Sequence, residues 1–151
     1  MKLKKSNFIL LVHGEPNSIL LEIFFKALKK KKFKRPIILI SSEKILKLQM
    51  KYYNFKKNIR ILDFKKLNRY KIDNNSINLI NIEYYQKRPF EKISSKSNNF
   101  IKQSFSIAFK IIKKYKFNKL INGPIVKKTF LKKKYLGITE YISKKFNITN
   151  N

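Results

Sequence analysis

The sequence predicts an α/β fold whose sheet is mostly parallel and flanked by helices. Three observations carry this. Short continuous apolar runs, as strands buried on both faces require, alternate with segments of helical periodicity. The 151 residues contain no internal repeat and no linker, so they make a single α/β region, 1–151. All 3 glycines fall in two segments, 14–19 and 122–140, where strands give way to turns and helices.

Taken in order, residues 8–12 form an apolar run broken by Gly14 and Pro16, which reads as a buried parallel strand. Residues 19–31 then read as a helix with Leu20, Phe24, Ala27 and Leu28 on one face, Asn17 or Ser18 as cap, and Glu22 in the first turn. Residues 36–40 are the next strand, and Ser41 or Ser42 caps a helix over 43–51. Strands are expected at 58–62 and 77–82; the mixed segment 63–76 between them ends in a turn-like Asp73-Asn74-Asn75-Ser76. Residues 88–99 read as a loop. Residues 99–115 give the clearest helical pattern, with Ile101, Phe105, Ala108, Ile112 and Tyr115 in one stripe. A short strand at 119–121 ends in Asn122-Gly123-Pro124, a helix starts within 125–132, and Thr139 caps a last helix running to 146.

Composition narrows the function classes. The hydrophobic fraction of 43% fits a globular chain, and the absence of cysteine excludes disulfides and thiolate chemistry. One histidine, His13, cannot make a histidine-rich metal site. No apolar run approaches the roughly 20 residues that span a bilayer. The basic start Met1-Lys2-Leu3-Lys4-Lys5 leads into too short an apolar run for a secretory signal, so a cytoplasmic protein with no membrane partner is expected.

The net charge of +29 points first to polyanions. Only Arg35, Arg60, Arg69 and Arg88 are arginine, the residue favoured for bidentate phosphate and base recognition. The lysines are spread over nearly every segment beside isoleucine, asparagine, phenylalanine and tyrosine, all with A/T-rich codons. A biased genome accounts for that composition, so no specific nucleic-acid partner is expected. The rival reading, a small basic nucleic-acid-binding protein, needs lysines gathered on one face with Tyr52, Tyr53, Tyr84 and Tyr85 exposed for stacking.

In open parallel sheets ligands bind beyond the carboxyl ends of the strands, where both glycine segments are expected. Gly123 allows close backbone approach, Pro124 stiffens the turn, and Lys127 or Lys128 can meet a phosphate or carboxylate. A plain strand–turn–helix connection explains the same residues. Neither Walker A nor the three-glycine dinucleotide fingerprint is present. His13 can act as acid, base or ligand, or serve structurally at a strand end. Glu15, one of 8 acidic residues, can bind a substrate hydroxyl or ammonium group, or accept N–H bonds within its own turn.

At these residues the sequence resembles a known family. Gly14-Glu15-Pro16-Asn17-Ser18-Ile19, with Glu22 beyond, resembles the Gly-Asp-Pro-x-Gly-Ile-Gly-Pro-Glu opening of 4-hydroxythreonine-4-phosphate dehydrogenases. Asn122-Gly123-Pro124-Ile125-Val126-Lys127 is similar to that family's Thr-Gly-Pro-x-x-Lys turn, and Gly137-Ile138-Thr139-Glu140 to its Gly-His-Thr-Glu segment. Order and spacing agree over most of the chain.

The resemblance implies an isocitrate/isopropylmalate dehydrogenase-like fold. It also implies NAD- or NADP-dependent oxidation and decarboxylation of 4-phosphohydroxy-L-threonine, on the way to pyridoxal phosphate. A divalent metal (zinc, magnesium or cobalt) and a homodimer are implied with it. Thr139 and the Ile138 position become substrate contacts, Lys127 an anion contact, and Gly14, Glu15, Pro16, Gly123 and Pro124 the shapers of the cleft.

The departures also carry expectations. Ser18, Leu20 and Leu21 replace Gly, Gly and Pro, and Ile138 replaces the family's substrate-contacting histidine. That keeps a related phosphate-binding α/β enzyme with a different substrate in play. Family members run to roughly twice this length as two-domain chains. Their metal-ligand histidines and further substrate residues lie beyond the matched part, so no metal ligand is expected here and no catalytic residue is assigned. The tail Asn147-Ile148-Thr149-Asn150-Asn151 reads as an interrupted frame or fragment, inactive without a C-terminal half.

Overall fold

The structure, a computed structural model, describes residues 8–117 and 119–146. Both the basic stretch 1–5 and the tail 147–151, on which expectations were placed, lie outside them. Five strands form one parallel sheet: β1 (Ile9–Val12), β2 (Ile37–Ser41), β3 (Ile59–Ile61), β4 (Ile77–Asn81) and β5 (Leu120–Asn122). Their spatial order is β3-β4-β2-β1-β5. The central pairing sets Leu10 opposite Ile38 and Leu11 opposite Leu39, while Leu10 faces Leu120 on the other side.

Side chains alternate across a strand, and the core divides accordingly. Leu11, Leu39, Ile37 and Leu79 join α1 (Leu20–Lys30) and α2 (Glu43–Tyr52) on one face. Leu10, Val12, Ile38, Ile40 and Ile80 meet α3 (Asn98–Tyr115) on the other, with Tyr141 of α4 (Ile138–Phe146). Burial on both faces is why these strands are apolar throughout and carry no alternation. The expected sheet and its helices are present, with shifts of a residue or two at their ends.

Several local expectations are corrected. In the stripe of α3, Ile101, Phe105 and Ala108 are fully buried, but Ile112 is only half-buried, and its neighbour Ile111 takes the core position. α1 has Ile19 at its N-cap with no side-chain cap bond. Ser18 Oγ reaches only Leu20 N, at 3.4 Å, because Asn17 is engaged elsewhere. α2 is capped by Ser42, whose hydroxyl accepts from Ile45 N. The segment 125–132 makes a single π turn, Lys127–Leu131, closed by left-handed Lys132. Thr139 lies inside the first turn of α4, which begins at Ile138. The loop 88–99 contains one short 3-10 turn, Ser95–Ser97, and 63–76 another, Phe64–Arg69.

Candidate functional site at the strand ends

β1 and β5 are neighbours, yet α1 follows β1 on one face while the chain after β5 packs on the other. That divergence is a topological switch point, the place where open α/β sheets open a crevice beyond their carboxyl ends. Both glycine-bearing turns stand there, and they interlock. Gly123 N donates to Val12 O (2.8 Å) and Glu15 N to Pro124 O (2.8 Å).

The fit leaves no room for side chains. Gly14 has φ +74°, and a Cβ on it would lie 2.5 Å from the Pro124 carbonyl oxygen. A Cβ on Gly123 would overlap the His13 carbonyl. Gly137, by contrast, has nothing within 4 Å of such a carbon. Close approach of two backbones therefore accounts for two of the glycines.

Glu15 is buried, at 1% exposure. Its Oε1 accepts from Asn17 N (3.1 Å) and Asn17 Nδ2 (3.4 Å), and its Oε2 from Ser97 Oγ (2.7 Å) at the start of α3. Asn17 Oδ1 in turn accepts from Gln86 Nε2 (2.9 Å) and Glu91 N (2.8 Å). Gln49 Nε2 of α2 donates to Pro16 O (2.9 Å) and Pro89 O (3.0 Å). Three amide side chains thus tie the connection between β4 and α3 across the first turn. Of the two roles open to Glu15, acceptance within its own turn is realised, with Ser97 added from a distant segment.

His13 is fully buried beneath this network, its Nδ1 2.7 Å from Ser41 Oγ at the end of β2. Its Nε2 has no partner among the described residues, and Phe100 stands edge-on to the ring at 6.2 Å. Burial pushes the imidazole down to about 3, so it is neutral in the folded protein near pH 7. Tyr84 packs on Phe100 at 5.2 Å. Burial first, then the carboxylates of Glu15 and Glu91, raises its phenol above the ordinary range.

Lys127 and Thr139 are both exposed, and no described side-chain hydrogen bond or ion pair joins either to the glycine turns or to each other. Ile138 is half-buried against the α3 side of the core. Glu140 accepts from Leu136 N (2.5 Å) and pairs with Lys144 (3.2 Å), which together hold its carboxyl below the usual range. Sequence reading did not single out Ser97, Gln86, Gln49 or Ser41. Each acts through a partner at least 28 positions away, and no local pattern announces such a contact.

Among the described residues no three His, Cys, Asp or Glu side chains come together to hold a metal ion. The sole imidazole is sealed and partnered at Nδ1. The residues present therefore do not fit a divalent-metal centre. No described helix is long and apolar enough to cross a membrane.

Of the four tyrosines that a nucleic-acid surface would need, Tyr52 and Tyr85 are exposed. Tyr53 donates to Glu22 Oε2 (3.0 Å), and Tyr84 is packed on Phe100. Lysines occupy the solvent side of all four helices, on both faces of the sheet.

A parallel α/β sheet with closed, interlocked turns at its switch point defines the class: the chain has a dehydrogenase-type α/β fold. Its solved structural neighbours are 4-hydroxythreonine-4-phosphate dehydrogenases. The enzyme from Klebsiella pneumoniae matches with TM-score 0.79 and 18% identity over 95% of this chain and 46% of its own. That from Burkholderia phymatum matches with TM-score 0.78 and 17% identity over 97% of this chain and 46% of its own. The chain thus spans about half the length of the structures it resembles. No protein-family model matches the sequence, and no curated protein does.

Proposed function

We propose that this chain is the N-terminal part of a protein resembling 4-hydroxythreonine-4-phosphate dehydrogenase. It would take part in NAD- or NADP-dependent oxidation and decarboxylation of 4-phosphohydroxy-L-threonine during pyridoxal phosphate synthesis. The observation that carries this reading is the coincidence of two independent likenesses. The fold matches these dehydrogenases over nearly the whole chain. The Gly14-Glu15-Pro16, Asn122-Gly123-Pro124 and Gly137-Ile138-Thr139-Glu140 segments meet the family's motifs in the same order.

In this reading the interlocked turns form one rigid wall of the substrate cleft, and a C-terminal half, on the same or a separate polypeptide, forms the other. Lys127 supplies a point charge for the substrate's phosphate or carboxylate, and Thr139 a hydroxyl. The metal and its histidines belong to the C-terminal half, because this chain's donors do not fit an ion. The working assembly is a cytoplasmic homodimer, and the isolated chain is inactive.

Ile138 supports a second reading, a related α/β enzyme acting on a different phosphorylated substrate. An isoleucine cannot make the hydrogen bond that the family's histidine offers. The test is a chimera of this chain with the C-terminal half of the Klebsiella enzyme, assayed for NAD reduction with 4-phosphohydroxy-L-threonine and a divalent metal. Turnover there and not with the isolated chain supports the proposal. A folded chimera that turns over only another phosphorylated hydroxy acid supports the second reading.

A further inference from the structure

α1, α2 and α4 each offset a lysine with a glutamate four residues before it: Glu22–Lys26, Glu43–Lys47 and Glu140–Lys144. α3 contains no acidic residue in its 18 positions. Its solvent face carries Lys102, Ser106, Lys110 and Lys113, which at about 100° per residue fall within an arc of about 80°. Lys145 of α4 stands across from them, and together they wall a concavity of about 240 Å³ floored by the buried rings of Phe109 and Tyr141.

No carboxylate lines this concavity. None of its four lysines forms an ion pair among the described residues. Lys113, in the last turn of α3, gains from the negative end of the helix dipole, but Lys102 and Lys110 stand further back and do not. The cluster is therefore uncompensated positive charge held around an apolar floor.

We infer that this concavity is a binding site for a small diphosphate, and that it is separate from the strand-end turns and independent of the function proposed above. One phosphate, at most doubly charged, leaves two ammonium groups unbalanced, whereas a diphosphate, carrying three to four negative charges, matches all four. The Ser106 hydroxyl adds a donor to the phosphate oxygens. The rings beneath offer an apolar surface to an organic substituent. The shared chemistry is the diphosphate group, free or carried on an organic molecule.

The test is calorimetric titration of the full chain with inorganic phosphate, pyrophosphate and adenosine diphosphate at moderate salt. Pyrophosphate should bind with one site per chain and at least tenfold more tightly than phosphate. Tighter binding of adenosine diphosphate would identify an organic diphosphate as the source, and equal or weaker binding the inorganic one. The double variant Lys110→Glu/Lys145→Glu should weaken pyrophosphate binding at least tenfold. The control Lys30→Glu/Lys71→Glu, with the same charge change on distant exposed lysines, should alter it less than threefold.

Ser106→Asp places an anion in the seat without touching a lysine, and it should weaken pyrophosphate binding comparably even if the double variant fails to fold. Equal losses in site and control variants, several sites per chain, or a single-stranded oligonucleotide binding to both variants alike would overturn the proposal in favour of dispersed charge.

Discussion

At the strand ends a carboxylate, an imidazole and three amides are buried and bonded largely to one another. On the α3–α4 face, four ammonium groups stand in the open with no counter-charge in the protein. The first arrangement is what folding demands of polar groups it removes from water: unpaired, they cost about 1–3 kcal/mol each. The second is what folding tolerates at the surface, where water solvates each charge and repulsion is screened. The contrast separates two questions that the lysine-rich composition blurs. Interlocked turns report on fold and ancestry, and unpaired lysines report on what the surface can hold.

The largest expected effect is at the interlock. Gly123→Ala should destabilise by roughly 3 kcal/mol or more, or prevent folding, because its Cβ meets backbone that cannot move aside. Gly14→Ala should follow closely, since it adds a left-handed φ to the clash. Gly137→Ala, with nothing near its Cβ, should change stability by less than about 0.5 kcal/mol. Urea denaturation of the three variants measures this directly, and similar losses at all three would show that the interlock does not set the requirement.

His13 gives the next effect, and its sign is fixed by linkage. The unfolded imidazole takes a proton near 6.5, whereas the folded one resists until about 3. The unfolded state therefore binds more protons in that interval, and stability is full above 6.5 and falls as pH drops towards 3. The loss is on the order of a few kcal/mol. Denaturation at pH 7.5 and 4.5 should show a smaller pH dependence in His13→Gln than in the parent. An unchanged dependence would mean that the imidazole titrates normally.

Ser97→Ala comes next. It leaves Glu15 Oε2 buried without its donor and should cost about 1–3 kcal/mol. A loss below about 0.5 kcal/mol would mean that water reaches the carboxylate.

The strands and helices were legible because each leaves a local signature. Val12 and Ile40 sit in unbroken apolar runs, and Ile101, Phe105 and Ala108 repeat at helical spacing. The glycine turns were legible as turns, and their positions at strand ends followed from the alternation of elements. That they clasp each other depends on β5 pairing with β1 across more than 100 residues, a tertiary fact with no local trace. The same distance hid Ser97 from view, and it explains why Asn17 reads locally as a cap although its amide is engaged by Gln86 and Glu91. The one-turn π segment after Val126 was read as a helix because Phe130 and Leu131 suit either geometry.

The smallest effects concern the proposed substrate contacts. In a chimera completed with a C-terminal half, Thr139→Ala should lower kcat/KM by the equivalent of about 0.5–1.5 kcal/mol, one hydrogen bond's worth. Ile138→His should raise affinity for the phosphorylated hydroxy-amino acid. Both variants should leave the stability of the interlocked turns unchanged, so a kinetic effect without a stability effect separates the two regions again.

The most direct test of the central claim is NAD reduction by the 151-residue chain, alone and joined to a C-terminal half. With 4-phosphohydroxy-L-threonine and magnesium, zinc or cobalt, the chain alone should give no turnover and the completed protein a metal-dependent rate. Metal-dependent turnover by the isolated chain, or a folded and completed protein inert towards every phosphorylated hydroxy acid offered, would contradict it.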